Sequence, residues 1–262
     1  MRSPAQPGGE GRWHARRSRF ATAALALAVL AAGAGLAAGP GHRFGVWSLA
    51  TAFTLLRWSV YGGMAAIPLA LIAMIRTRPG GRRRGFLRAL AGLLIALVVV
   101  GLPLGYLRAA RNVPPIHDIT TAPDDPPAFE AILPRRAGAP NPAGYAGEEI
   151  AAQQRAAYPE LQPLSADMPP ARAFDAALAT AETMGWEIVA AEPSEGRIEA
   201  TDTTFWFGFK DDVVIRVRPA ASGSRVDVRS KSRVGVSDLG TNAARVRAYL
   251  EALADRMADA GS

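Results

Sequence analysis

The chain has 262 residues, no cysteine, 49% hydrophobic residues and a formal net charge of +7. Without cysteine, disulfide bonds and thiolate metal sites are excluded. The charge is unevenly divided: residues 1–111 carry 15 arginines against one acid, a net +14, and residues 112–262 carry 15 basic residues against 22 acids, a net −7. An acidic domain is poorly suited to a phosphate backbone, so nucleic acid is excluded as a partner.

Three apolar stretches in the first part of the chain predict membrane-spanning helices at about 20–38, 58–75 and 89–107. Each is close to the helix length that crosses about 30 Å of hydrocarbon, so the predicted partner of region 20–110 is the lipid bilayer. His42–Arg57, between the first two spans, is interpreted as an interfacial amphipathic segment in which Arg57 reaches the near interface. The alternative is a buried Arg57 in a transport pathway.

Arginine placement predicts the orientation of these spans. One cluster precedes the first span and another lies between the second and third, with members Arg12, Arg16, Arg17 and Arg19, then Arg76, Arg78, Arg82, Arg83 and Arg84. The positive-inside rule makes residues 1–19 cytoplasmic and puts the domain after residue 110 outside. The predicted location is a bacterial inner membrane, multi-pass, with a periplasmic C-terminal domain. A cleaved signal peptide over residues 1–39 is the alternative, and it leaves the domain on the same side.

Residues 111–170 contain 12 of the 20 prolines. Proline fixes φ and removes a backbone donor, so this region predicts a linker or an extended belt against the domain. The sequence around Gly147–Tyr158 is compatible with a helical turn or two.

Residues 171–262 predict an α+β core. Helical periodicity covers Ala171–Met184 and Thr241–Met257. Between them the pattern predicts four strands joined by short connections, at Trp186–Ala191, Arg197–Phe209, Asp212–Arg218 and Arg225–Val234. Helix, four strands and helix in this order favour a four-stranded antiparallel sheet with both helices packed on one face.

The apolar alternation of the second predicted strand breaks near Asp202–Thr204, before the aromatic run Phe205–Phe209. A bulge is one explanation. Cover on both faces by the proline-rich region is the favoured one, because this strand end would otherwise expose a large aromatic patch.

Two long runs of the core resemble a known family. They are GRIEATDTTFWFGFKDDVVIRVR and GSRVDVRSKSRVGVSDLGTNAARVRAYL, preceded upstream by NVPPIHDITTAPDDPPAF and YPELQPL. Over roughly Asn112–Met257 the chain resembles domain of unknown function 1499, in its membrane-anchored bacterial form. The resemblance implies membrane helices ahead of the domain, and it implies no catalytic residue.

The last predicted strand carries the candidate ligand-binding residues. Arg229, Lys231 and Arg233 alternate onto one face, with Arg216 and Arg218 on the neighbouring strand. This pattern predicts a site for an anionic envelope ligand, such as a lipid headgroup or an acidic glycan, or for a carboxylate of a protein partner. The alternative is cross-strand ion pairing with nearby carboxylates, namely Glu199, Asp202 and Asp227.

His117, beside Asp118, is the histidine of the soluble domain and a candidate general base. No nucleophile is placed near it by sequence. The carboxylates in or beside the sheet match no metal-binding loop, and they are Asp202, Asp211, Asp212, Asp227 and Asp238. Asp238 is interpreted as a helix cap. No catalytic residue, metal or cofactor is therefore predicted.

These features favour a membrane-anchored envelope protein that acts as a non-enzymatic binding or assembly module. Two alternatives stay open. One is an envelope hydrolase or transferase that uses His117 and nearby carboxylates. The other is an accessory subunit of a transporter, in which the membrane helices carry the function.

Overall fold

The structure is a computed structural model, and it describes residues 16–78, 83–111 and 113–259. Contacts divide the chain into two compact units, with the boundary between Gly105 and Tyr106. Three predicted features lie outside the described residues. They are the basic segment before residue 16 with its Arg12, the loop residue Arg82, and Asn112 at the start of the family resemblance.

Among the described residues, three apolar helices are long enough to cross a membrane, which confirms the predicted number, and the last of them extends past the boundary of the first unit. They are α1 (Arg19–Arg43), α2 (Leu49–Arg76) and α3 (Phe86–Ala110). The interpretation of His42–Arg57 as a separate interfacial segment was wrong. The Ser48 side chain caps α2 by accepting from the Thr51 amide at 3.2 Å, and the helix continues through Arg57. No residue between Leu49 and Arg57 is a helix breaker, so one continuous helix forms.

Small residues let these helices pack closely. A Cβ added to Gly92 of α3 would lie 3.0 Å from the backbone nitrogen of Leu25 in α1. The Ser59 hydroxyl of α2 donates to the Ala31 carbonyl of α1 at 2.7 Å. Small contact residues and interhelical hydrogen bonds are typical of packing in membranes. At one end of the helices, β1 (Arg16–Arg17) pairs in parallel with β2 (Arg83–Arg84), which brings the two arginine segments together.

The second unit is built on one antiparallel sheet of six strands, whereas the sequence predicted four. The strands are β3 (Asp118–Thr120), β4 (Leu164–Ala166), β5 (Glu187–Glu192), β6 (Arg197–Thr203), β7 (Lys210–Pro219) and β8 (Ser224–Ser232). Their order is β3-β8-β7-β6-β5, and β4 pairs with the same edge of β8 as β3. The two additional strands have three residues each and lie in the proline-rich region, so they are too short to show alternation.

Four helices complete this unit: α4 (Leu133–Arg136), α5 (Glu148–Ala157), α6 (Pro170–Thr183) and α7 (Thr241–Asp259). The predicted helical turns near residue 150 are α5. As predicted, α6 and α7 pack on one face of the sheet, where they enclose the apolar core. Its largest members include Phe174, Ile198, Ile215, Val226, Val228, Tyr249 and Leu253.

The aromatic run does not continue the second strand. β6 ends at Thr203, and the chain then reverses, because the Thr204 amide donates to the Phe209 carbonyl at 2.9 Å and the Thr204 hydroxyl accepts from the Phe209 amide. The expectation that the proline-rich region covers this aromatic run was wrong for Phe205, which is 84% exposed. The broken alternation marked the end of a strand.

Candidate functional site

The register of β7 against β8 brings the predicted basic residues onto one face of the sheet. Asp212 lies opposite Lys231, and Arg216 lies opposite Asp227. Opposed residues of antiparallel strands project from the same side, and successive residues alternate. We call this side the charged face. It carries all five predicted ligand-binding residues, Arg216, Arg218, Arg229, Lys231 and Arg233.

An irregular segment, residues 121–147, lies over the charged face; we call it the belt. Its only regular element is α4, so most of its backbone donors and acceptors are not used in secondary structure. Such groups need other partners when they are buried. Side chains of the sheet provide these partners: Arg229 donates to the carbonyls of Pro127 at 3.0 Å and Ala143 at 2.9 Å, and Lys231 donates to that of Gly144 at 2.6 Å.

Asp118 of β3 is the centre of the first ionic cluster. Its carboxylate accepts two hydrogen bonds from Arg229, both at 2.9 Å, and one from Lys231 at 2.8 Å. All three side chains are buried. Burial lowers the pKa of the Lys231 ammonium below its ordinary value, although Asp118 opposes this effect. The nearby Tyr145 ring lies 5.4 Å from the Arg229 guanidinium, and burial raises the pKa of Tyr145 to about 12.

Asp212 of β7 is the centre of the second cluster. It accepts from Arg136 of the belt at 2.5 Å, from Arg233 at 2.7 and 2.8 Å, and from the Thr201 hydroxyl at 2.8 Å. Asn141 joins the belt to the end of β8 here, through amide donation to the Ser232 carbonyl at 3.1 Å. Sequence reasoning missed Arg136, because no pattern in a proline-rich segment marks a side chain that turns toward a sheet.

Glu199 of β6 is bound mainly by backbone. Its carboxylate accepts from three successive belt amides, those of Glu130 at 3.0 Å, Ala131 at 2.9 Å and Ile132 at 2.9 Å. Arg197 pairs with the same carboxylate. The alternative prediction paired the basic strand residues with Glu199, Asp202 and Asp227. It is wrong for Glu199, which binds the belt amides and Arg197 instead.

The third cluster, at Asp227 of β8, opens to solvent; we call it the Asp227 centre. Arg216, Arg218 and Arg225 donate to the buried Asp227 carboxylate, with shortest distances of 2.8, 2.7 and 2.8 Å. The belt residue Asp125 bridges two of these guanidiniums, at 3.0 Å from Arg216 and 2.7 Å from Arg218. Its side chain is 62% exposed, and those of Arg218 and Arg225 are 38% and 41% exposed. The hydrogen bond from Arg218 lowers the pKa of the Asp125 carboxyl.

The remaining predicted residues do not converge on a reaction centre. His117 Nδ1 lies 3.2 Å from the Val236 carbonyl, whereas the neighbouring Asp118 binds Arg229 and Lys231. Asp238 caps α7, as predicted, by accepting from the Asn242 amide at 2.9 Å. In the described part of the chain, no group of three or more histidine, aspartate or glutamate side chains is arranged to hold a metal ion.

Asp202 and Asp211 lie on the helix side of the sheet, where both bind Arg245 of α7 at 2.7 Å. Asp202 is therefore not a partner of the basic strand residues. Sequence reasoning missed Arg245, since arginine is frequent in this chain and a helix stripe does not mark one that turns inward.

A family model described as "Protein of unknown function (DUF1499)" matches residues 118–253, just over half of the chain. The chain belongs to this family. The DUF1499 match begins at Asp118, the carboxylate that binds Arg229 and Lys231, and ends within α7, so it includes the sheet, the belt and both core helices. A search among curated proteins finds no match to this chain.

Proposed function

We propose that this DUF1499 protein is a non-enzymatic binding or assembly module, anchored in the bacterial inner membrane with its C-terminal domain in the periplasm. Three long apolar helices support the anchoring. The pairing of Arg16–Arg17 with Arg83–Arg84 supports the orientation, because it brings two arginine segments to one end of the helices. The positive-inside rule assigns that end to the cytoplasm, and three crossings carry the chain outward.

The proposed ligand group is an anion, a carboxylate or phosphate of an envelope molecule or partner protein, bound at the Asp227 centre. The observation that carries this proposal is the convergence of three partly exposed guanidiniums on one buried carboxylate. The Asp227 centre contains three arginines and two carboxylates, those of Asp227 and Asp125, so its net charge is +1. Guanidinium forks bind carboxylate and phosphate in bidentate geometry, and the exposed Asp125 carboxylate occupies the position that such a group would take.

The five predicted residues then divide into two roles. Arg216 and Arg218, together with Arg225, contact the ligand. Arg229, Lys231 and Arg233 hold the belt, because their charged groups are engaged with Asp118, Asp212 and belt carbonyls. This division assigns ligand binding and attachment of the belt to different residues, so the two can be tested with different substitutions.

Native mass spectrometry of the full-length protein, extracted from its own membrane in mild detergent, tests the site. We expect a reproducible anionic adduct on the wild type, loss of the adduct in Arg218→Gln and Arg225→Gln, and higher occupancy in Asp125→Asn, which removes the competing carboxylate. Arg155→Gln is the matched control, because Arg155 is similarly exposed and also bridges two carboxylates, but lies on α5. An adduct that survives Arg218→Gln, or no adduct on any variant, contradicts the proposal.

Cysteine labelling tests the orientation, since the chain contains no native cysteine. A membrane-impermeant maleimide applied to cells with a permeabilised outer membrane should label Ser222→Cys, in the exposed turn after β7. It should not label Arg78→Cys, in the segment after α2. The reverse pattern contradicts the proposed topology without affecting the proposed anion site.

A further inference from the structure

The exposed apolar side chains of the second unit are concentrated at one end of the sheet. Among its described residues from 113 onward, five large hydrophobic side chains are exposed, and four of them lie in two loops. Phe205 and Trp206 belong to the loop between β6 and β7. Val236 and Leu239 belong to the loop between β8 and α7, and Val236 is 79% exposed.

The register of the strands brings these two loops to the same end. The last residue of β6, Thr203, pairs with Lys210 at the start of β7, and Asp211 pairs with Ser232 at the end of β8. The Arg233 amide then donates to the Lys210 carbonyl at 3.0 Å. Neighbouring strands are about 4.8 Å apart, so the two loops are adjacent.

The segment that follows α3 enters the second unit at this same end of the sheet. Asp118, the first residue of β3, pairs with Lys231 near the end of β8. The amides of Ser232 and Asp238 donate to the carbonyls of His117 and Ile116, at 3.0 and 3.2 Å. Six residue steps separate Ala110, the last residue of α3, from the buried Ile116. Even fully extended they reach only about 22 Å. The covalent chain therefore limits Ile116 to at most that distance from the end of α3.

Hydrogen bonds and ring stacking fix the conformation of the loop between β6 and β7, which we call the aromatic loop. The Gly208 amide donates to the Thr204 carbonyl at 3.0 Å, and the rings of Phe207 and Phe209 stack with centroids 5.0 Å apart. Beneath the loop, the buried Arg245 binds the carboxylates of Asp202 and Asp211, one on each flanking strand. A loop fixed in this way presents Phe205 at its tip at little additional entropic cost.

We propose that this end of the domain docks on the bilayer that holds α3, with Phe205, Trp206, Val236 and Leu239 inserted at the level of the lipid headgroups. Aromatic and aliphatic side chains are the groups that partition into this layer. The inserted groups are apolar, because these four are the large exposed hydrophobic side chains at this end among the described residues. The Asp227 centre lies toward the opposite end of β8, so docking leaves the proposed anion site facing away from the membrane. This proposal rests on the proposed anchoring of α3 in the bilayer and is independent of the proposed anion site.

Depth-dependent quenching tests the docking, and the absence of native cysteine makes single labels possible. Full-length Phe205→Cys and Val236→Cys, each labelled with nitrobenzoxadiazole, are placed one protein per nanodisc of phosphatidylethanolamine and phosphatidylglycerol. Both sites are highly exposed, so either variant can replace the other if one folds poorly. Ser222→Cys, at the opposite end of the sheet, is the matched control.

We expect lipids with a doxyl group near the top of the acyl chain to quench the labels at 205 and 236 several-fold more strongly than at 222, and iodide to give the reverse order. The insertion should persist in 1 M NaCl, since apolar contacts are not screened. Iodide quenching at 205 and 236 equal to that at 222 overturns the proposal. Shielding from both quenchers also overturns it, because another protein then covers the loops.

Discussion

The two faces of the sheet are covered in different ways. The face toward α6 and α7 buries aliphatic side chains such as Ile215 and Val228 against two regular helices. The charged face buries carboxylates and basic groups against a belt that is mostly irregular. A helix uses its own backbone donors and acceptors, so it suits an apolar surface. An irregular segment leaves these groups to find partners, and the charged face supplies them.

This difference predicts that the belt and the charges depend on each other. Glu199 occupies three belt amides, whereas Arg229 and Lys231 occupy three belt carbonyls. If the charged side chains are removed, the buried amides and carbonyls of the belt lose their partners. If the belt is removed, the buried charges lose theirs. The proline-rich region is thus part of the domain, and its lack of regular structure is what fits it to a charged surface.

The largest expected effect comes from removing the carboxylate that two buried cations share. Asp118→Asn leaves Arg229 and Lys231 without their counter-charge, and we expect the free energy of unfolding to fall by about 3–5 kcal/mol. Pulse proteolysis of the full-length protein in urea measures this change. Asp124→Asn, at an exposed belt position that pairs with Arg155, is the control and should be nearly neutral. Equal effects of the two substitutions would contradict a buried ionic cluster.

An apolar replacement of the whole cluster tests the mutual dependence directly. The variant Asp118→Leu, Arg229→Met and Lys231→Met removes every charge of this one cluster, and such exchanges are often neutral in proteins. We expect this variant to stay destabilised, by about 1–3 kcal/mol for each belt carbonyl that loses its donor. The same urea experiment measures it. Wild-type stability would show that the belt does not need the charges.

Glu199→Gln tests the belt more locally. The substitution removes the negative charge and replaces one of the two oxygens that accept from three belt amides. We therefore expect the free energy of unfolding to fall by about 1–3 kcal/mol. Hydrogen exchange should accelerate at the amides of Glu130, Ala131 and Ile132 and remain unchanged in α6. Uniform acceleration across the domain would instead indicate global unfolding, contrary to a separately attached belt.

The helix-covered face should respond more weakly to the loss of one polar group. Tyr249 donates to the Ala177 carbonyl at 2.9 Å and stacks on Trp186, and its side chain is buried. Tyr249→Phe keeps the ring and removes only the hydrogen bond, so we expect a loss of about 1 kcal/mol in urea unfolding. A loss as large as that of Asp118→Asn would mean that the two faces do not differ in this respect.

The smallest effect concerns pH at the Asp227 centre. The pKa of Asp125 is lower in the folded protein than in the unfolded chain, so its contribution is present above the unfolded pKa of about 3.9 and is lost as pH falls through the folded value. The thermal midpoints of the wild type and Asp125→Asn should therefore differ slightly at neutral pH and converge in strong acid. A difference that grows on acidification would contradict this sign.

Sequence reasoning succeeded where structure follows a local period. The three apolar helices, α6, α7 and the general positions of β5 to β8 were predicted from patterns within each segment. The shared face of Arg229, Lys231 and Arg233 was also predictable, because a strand alternates with period two. The sequence did not reveal β3 and β4, since three residues between prolines are too few for a pattern.

The sequence by itself determined the three long apolar helices, the α+β core and the basic side of the last strand, because hydropathy and alternation are properties of neighbouring residues. Only the tertiary structure decided which carboxylate meets which arginine. Asp118 and Arg229 are 111 positions apart, and Arg136 and Asp212 are 76 apart. Long-range pairs of this kind depend on which strand β3 pairs with and on how the belt crosses the sheet, and no local period encodes either.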